Sequence, residues 1–141
     1  MIVYFDTSAL VKRYIHESDS NTVIEHWRNA QLAVSSQLLY AEMIATFARK
    51  RREQPTSAML IDSAEQTFRN DWQTLHRILL DDIVNQWVDR LLVRHSLRGA
   101  DAVHLGSALR LRDIVQTEVV FACADRELVK AANAEGLATV P

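Results

Sequence analysis

The sequence predicts an α/β protein: a central, mainly parallel sheet of four to five strands with helices between them and one helical hairpin outside the alternation. Three observations carry this. The chain opens on a continuous apolar, β-prone run, Ile2-Val3-Tyr4-Phe5, that breaks at Asp6-Thr7-Ser8 and turns helical at once. Such a run, without polar alternation, reads as a strand buried on both faces, as in a parallel sheet. Further short apolar runs alternate with amphipathic helical patterns, which implies βαβ units. Gly and Pro are scarce, at 3 and 2 residues, so few positions can form long loops.

Taken in order, the first helix runs from Ala9 to about Ile15 and breaks at Ser18-Asp19-Ser20. Thr22 and Glu25 have capping-box spacing and are expected to open a helix through Trp27. Leu32 to Ser35 reads as a short strand. Ser36 reads as the N-cap of a helix to about Arg52, with Leu39, Met43 and Phe47 as its apolar stripe. Gln54-Pro55-Thr56-Ser57 ends that helix and starts the next, Ala58 to about Trp72, which makes the hairpin. Leu75 to Leu80 reads as a third strand. Asp81 caps a strongly amphipathic helix carrying Ile83, Trp87, Leu91 and His95 at four-residue steps. After the break at Leu97-Arg98-Gly99, a helix runs from Ala100 to about Arg112. Val119 to Cys123 is the fourth strand. Asp125 caps a last helix ended by Gly136, and Leu137 to Val140 is a candidate edge strand.

With 141 residues the chain fits a single domain, 1–141, and its 48% hydrophobic and 24% charged composition is that of an ordinary globular protein. One cysteine, Cys123, excludes an internal disulfide framework and suits a reducing compartment. No signal peptide and no bilayer-length apolar run is present, so a cytoplasmic location without membrane attachment is expected. The net charge of −2 leaves nucleic-acid contacts to local basic clusters.

The acids stand out by position. Asp6 ends the first strand, Glu42 lies one turn into the helix after the second, Asp101 begins the helix after Gly99, and Asp125 follows the fourth strand. Each aspartate also has a plain capping role open to it. Glu42 is harder to explain that way. It sits beside an apolar stripe with no Lys or Arg within a turn, so its partner must come from elsewhere: a bound cation, or another carboxyl sharing a proton. In a parallel sheet these ends gather on one edge, so the acids would share a pocket, and at least one pKa would rise unless a cation were present. Oxygen-only ligands suit Mg²⁺ or Mn²⁺. The scattered histidines, His16, His26, His76, His95 and His104, show no metal-ligand spacing and read mostly as surface or core residues.

These motifs resemble a known family. Ile2-Val3-Tyr4-Phe5-Asp6-Thr7-Ser8-Ala9-Leu10-Val11-Lys12 resembles the opening of PIN-domain proteins, above all the VapC-type ribonuclease toxins of prokaryotic toxin–antitoxin pairs. Ser36 to Glu42 fits the family's glutamate motif. Leu97-Arg98-Gly99-Ala100-Asp101-Ala102-Val103-His104-Leu105 resembles its third acidic motif, and Phe121-Ala122-Cys123-Ala124-Asp125-Arg126-Glu127-Leu128 its fourth. The resemblance spans the whole chain. It implies a PIN-like three-layer α/β/α fold and a Mg²⁺- or Mn²⁺-dependent endoribonuclease. Asp6, Glu42, Asp101 and Asp125 would be its catalytic and metal residues, with Thr7 and Ser8 in support. It also implies an RNA substrate, a cognate antitoxin and a homodimer. One departure is Cys123, where the family often has Ser or Thr.

The run Arg49-Lys50-Arg51-Arg52 could contact RNA phosphates or simply end a solvated helix, and Arg98 and Arg126 could reach phosphate or serve as ion-pair partners. Trp27, Trp72 and Trp87 occupy apolar helical positions and read as packing residues. Two other functions compete with RNA cleavage. One is an aspartyl-phosphate phosphatase or receiver-like domain using Asp6; against it, Ser8 stands where a dehalogenase-like phosphatase would have a second Asp, and no Lys follows the fourth strand. The other is a non-catalytic PIN-like interaction module.

Overall fold

Every residue of the first strand, β1 (Ile2–Phe5), is buried, and its side chains alternate between the two faces of the sheet. Ile2 and Tyr4 enter one apolar core with Val34, Leu91, Leu105, Leu109, Phe121 and Leu128. Val3 and Phe5 enter the other with Leu10, Leu39, Met43, Phe47, Phe68 and Trp72. A strand that feeds two cores needs no polar positions, which accounts for the unbroken apolar run.

The computed structural model describes residues 1–141. The other strands are β2 (Leu32–Ser36), β3 (His76–Ile78), β4 (Val119–Ala122) and β5 (Ala138–Val140). All are parallel, in the order β3-β2-β1-β4-β5, with Tyr4 paired to Val34 on one side and Phe121 on the other. The helices are α1 (Thr7–Tyr14), α2 (Ser20–Asn29), α3 (Leu39–Glu53), α4 (Ala58–Trp72), α5 (Asp82–Arg94), α6 (Gly99–Ile114) and α7 (Arg126–Ala134). Helices α1, α3 and α4 cover one face; α5, α6 and α7 cover the other. This is the PIN-like three-layer arrangement with a five-stranded sheet. No helix is long and apolar enough to cross a membrane.

The order of strands reverses direction between β1 and β4. In open parallel sheets such a switch point opens a crevice beyond the carboxyl ends of the strands. Asp6 and Asp125 follow these two neighbouring strands.

The α3–α4 hairpin is anchored at its base. Phe47 and Phe68 are fully buried and lie 6.0 Å apart, centroid to centroid, with the Tyr14 ring of α1 edge-on to both. On the other face α5 packs closely on α6 at Gly106, where a Cβ would lie 3.1 Å from that of Trp87. Trp72 is buried, and Trp27 and Trp87 are partly buried against the cores, so all three tryptophans serve packing.

Local details differ from the sequence reading in three places. The Thr22–Glu25 capping box does not form: α2 begins at Ser20, behind Asp19 in the left-handed region at φ 66°. The Ser20 hydroxyl instead accepts the Glu17 N–H at 2.9 Å. Ser36 ends β2 rather than capping α3 directly; its hydroxyl accepts the Leu38 N–H at 3.0 Å, and α3 starts at Leu39. The third strand shrinks to His76–Ile78, because it is an edge strand and Leu79 and Leu80 are exposed beyond it.

Candidate active site

The four acids predicted from sequence line one cleft of about 430 Å³. Asp6 and Asp125 reach it from the ends of β1 and β4. Asp101 comes from the first turn of α6 and Glu42 from the first turn of α3.

The aspartates also perform the capping chemistry open to them. Asp6 caps α1, its Oδ1 accepting the Ala9 N–H at 2.9 Å. Asp125 caps α7, its Oδ1 accepting the Leu128 N–H at 3.0 Å. Asp101 closes a capping box, its Oδ2 accepting the Arg98 backbone N–H at 3.3 Å and its Nε–H at 3.4 Å. Capping does not compete with a role in the cleft, since each cap uses one oxygen.

That division is general here. Asp101 takes its protein hydrogen bonds through Oδ2 alone, Asp125 through Oδ1 alone, and Glu42 through Oε1 alone. The second oxygen of each accepts none, and none of these free oxygens is buried. Asp6 differs. It is 4% exposed, and both its oxygens are engaged: the Ser8 hydroxyl lies 2.8 and 2.9 Å from them, and the Cys123 thiol donates to Oδ2 at 3.3 Å. Both oxygens being occupied disfavours Asp6 as an exposed phosphoryl acceptor.

One carboxyl is indeed raised, and it is Asp6. Burial pushes it up; His104, the Ala9 N–H, Ser8 and Cys123 pull it back only in part. Desolvation dominates, rather than repulsion from the other acids.

Within the protein, Glu42 meets a histidine and a hydroxyl rather than another carboxyl. His104 Nε2 lies 2.5 Å from its Oε1, and the Thr7 hydroxyl donates to the same oxygen at 2.8 Å. Burial raises the Glu42 carboxyl, but the bonds from His104 and Thr7 outweigh it and hold the group below the usual carboxylate range. An ionised carboxylate only accepts, so Nε2 carries a hydrogen. The other ring nitrogen, Nδ1, lies 3.0 Å from the Tyr4 hydroxyl, whose pKa burial pushes far up, so the phenol keeps its proton. His104 is the site residue that sequence reasoning missed. Its only local signal is a three-residue offset from Asp101, which puts both on one side of α6.

Cys123 stands where the resembled motif often has a hydroxyl. Besides donating to Asp6, its sulfur accepts the Asp125 N–H at 3.4 Å, so it ties the first acid to the loop that carries the fourth. Burial, then the Asp6 charge, pushes the thiol up and keeps it protonated as a donor.

The basic candidates divide. Arg49, Lys50 and Arg98 line the cleft, joined by Lys12. Arg49 pairs with Glu53 at 3.7 Å and Lys50 with Glu17 at 3.3 Å. Arg51 turns to the hairpin, bonding Asp62 and Glu65 at 2.7 Å each. Arg52 lines no part of the cleft, and Arg126 borders a separate hollow with Cys123 and Val140.

By donor chemistry the cleft fits a hard divalent cation: three carboxylates offer free oxygens beside a buried fourth. As the side chains stand, no three acidic or other ligating groups converge on one point.

No family model matches the chain. Two curated relatives do. Ribonuclease VapC45 of Mycobacterium tuberculosis (strain CDC 1551 / Oshkosh) is 36% identical over 140 residues, covering 99% of this chain and 95% of the relative. Ribonuclease VapC49 of Mycobacterium tuberculosis (strain ATCC 25618 / H37Rv) matches with the same identity and coverage. With four acids gathered in one cleft, similarity over nearly its full length has one reading: this chain belongs to the VapC family of PIN-domain ribonucleases.

Proposed function

We propose that the chain is a Mg²⁺- or Mn²⁺-dependent endoribonuclease, the toxin of a type II toxin–antitoxin pair. The observation that carries this is that Glu42, Asp101 and Asp125, each with one carboxylate oxygen free of protein hydrogen bonds, line one cleft beside buried Asp6. Kinship with two proteins named as ribonucleases supports the substrate class.

A cation held by these carboxylates would activate a water and offset charge developing on a phosphodiester. The chain's own residues do the rest. Asp6, fixed by Ser8, Ala9 and Cys123, is a rigid floor. Glu42, Asp101 and Asp125 each keep one oxygen bound to protein, which orients the other. Arg49, Lys50 and Arg98 lie at the cleft where backbone phosphates would approach, as positioning contacts without sequence information.

In this reading the protein acts in the cytoplasm as a homodimer, and a cognate antitoxin covers the cleft. The test is cleavage of a panel of structured RNAs by the purified chain, free of antitoxin, with Mg²⁺ or Mn²⁺ and with chelator. Metal-dependent cleavage, abolished by Asp6→Asn, is expected. Folded, metal-supplied protein that cuts none of them would count against the reading. In cells, expression of the chain should arrest growth and Asp6→Asn should not; equal toxicity would reject the catalytic explanation.

A further inference from the structure

His104 is 2% exposed, yet it reaches the cleft wall. Its ring stands between two elements distant in sequence. Nδ1 meets the Tyr4 hydroxyl of β1 at 3.0 Å, and Nε2 meets Glu42 Oε1 of α3 at 2.5 Å. Tyr4 is fully buried and stacked on Phe121 at 5.5 Å, so the far end of this chain of contacts is fixed in the core. Thr7 supplies a second donor to Oε1 at 2.8 Å. Two donors from different elements converge on one oxygen of Glu42, and its other oxygen receives none.

We infer that His104 is a positioning residue for the reaction: the Tyr4–His104 strut, with Thr7, grips Glu42 by Oε1 so that Oε2 is the oxygen presented to the cleft. A carboxylate gripped at one oxygen loses most of its rotational freedom before any ligand arrives, which removes an ordering cost from binding. Partners that orient a ligating side chain are typically worth about 10–100-fold in metal affinity. The inference rests on the metal-dependent reading above, since Oε2 needs a cation to receive. The bland alternative is that His104 only satisfies the buried Tyr4 hydroxyl, which would affect stability alone.

The two separate in three substitutions. In His104→Gln the amide nitrogen falls near the place of Nε2 and still donates to Glu42. In His104→Asn it falls near Nδ1 and faces Tyr4 instead. His104→Leu removes both bonds. For each folded variant, calorimetry gives the Mn²⁺ dissociation constant, and RNA cleavage gives kcat and KM. The Asn and Leu variants are expected to bind Mn²⁺ about 10–100-fold more weakly, with kcat reduced and KM for RNA little changed, and Gln should recover most of the affinity. Asn or Leu variants that bind Mn²⁺ like the parent would overturn the inference, as would Gln falling as far as Asn. If the Leu variant does not fold, the Gln–Asn comparison decides.

A metal-free measurement separates this inference from the function it rests on. Proton NMR of the parent in chelator should show a strongly deshielded, slowly exchanging His104 ring N–H, shifted upfield in Glu42→Gln. Absence of that proton overturns the grip even if the enzyme is active. Its presence in a protein that neither binds Mn²⁺ nor cuts RNA would uphold the grip and reject the ribonuclease reading together with the assigned role.

Discussion

The Ser8 hydroxyl bridges Asp6 to the loop after β4. It lies 2.8 and 2.9 Å from the two Asp6 oxygens and accepts the Ala124 N–H at 2.9 Å. One side chain of α1 thus joins the end of β1 to the loop after β4, across the switch point of the sheet. Ser8→Ala should cost about 1–2 kcal/mol, because a buried carboxyl loses a donor. Urea unfolding checks this. An unchanged midpoint would mean that water replaces the hydroxyl at no cost.

Asp6 sets a conflict between stability and function. Its folded pKa is raised, chiefly by burial. The sign follows from linkage: stability is fully present below the unfolded carboxyl value, falls as pH rises toward the folded value, and then levels off. Asn cannot ionise and escapes that loss while still accepting the Ala9 N–H. Metal-free Asp6→Asn is therefore expected to be more stable than the parent at neutral pH by on the order of 1 kcal/mol, with the gap closing in acid. Millimolar Mg²⁺ should raise the melting temperature of the parent and much less that of the variant. Thermal melts in chelator and in Mg²⁺ test both; a less stable Asp6→Asn at neutral pH would show that the charge itself strengthens the α1 cap.

Glu135 shows the opposite sign, away from the cleft. Burial opposes its ionisation, but His95 at 2.8 Å and Arg94 at 3.0 Å outweigh burial and hold its carboxyl below the usual range. A depressed acid contributes stability above its unfolded pKa, and the contribution is lost as pH falls through the folded value. Glu135→Gln should destabilise by about 1 kcal/mol at neutral pH, where it unpins the end of α5 from the end of α7. The deficit should vanish below the folded pKa of Glu135. Denaturant midpoints across an acid pH series read the effect, and a constant deficit at all pH values would point to lost packing instead.

The basic run should divide by function as it divides in space. In an inactive Asp6→Asn background, Arg49→Ala and Lys50→Ala should each weaken RNA binding and lower the slope of log affinity against log salt by about 0.7, the value for one single-strand phosphate contact. Arg51→Ala should leave that slope alone and lower the melting temperature, since Arg51 holds Asp62 and Glu65 of the hairpin. Slopes equal to the parent's in all three variants would mean that none of these residues touches phosphate, and an equal reduction in all three would overturn the division.

Most of the architecture is written locally in the chain. The apolar run Ile2–Phe5 and the runs at Leu32 and Val119 determine buried parallel strands, because a strand covered on both faces carries mostly apolar residues. Asp81 and Asp125 mark helix starts because a cap is decided within three residues. The order of the acids along the chain was equally legible. Thr22 and Glu25 had the spacing of a cap, but Ser20, bonded back to Ile15 and Glu17, took over the turn. Only the tertiary structure decided the partners. Glu42 looks unpaired in sequence because its histidine donor lies 62 residues away, and His104 reads only as one of five scattered histidines because its contacts, Glu42 and Tyr4, lie 62 and 100 residues away. The fate of Arg49 to Arg52 was settled by rotation: successive positions on a helix point about 100° apart, so a single basic run sends some side chains to the cleft and Arg51 to the hairpin. Spacing along a chain fixes which side of an element a residue occupies, and it is the packing of that element against others that determines what the residue meets.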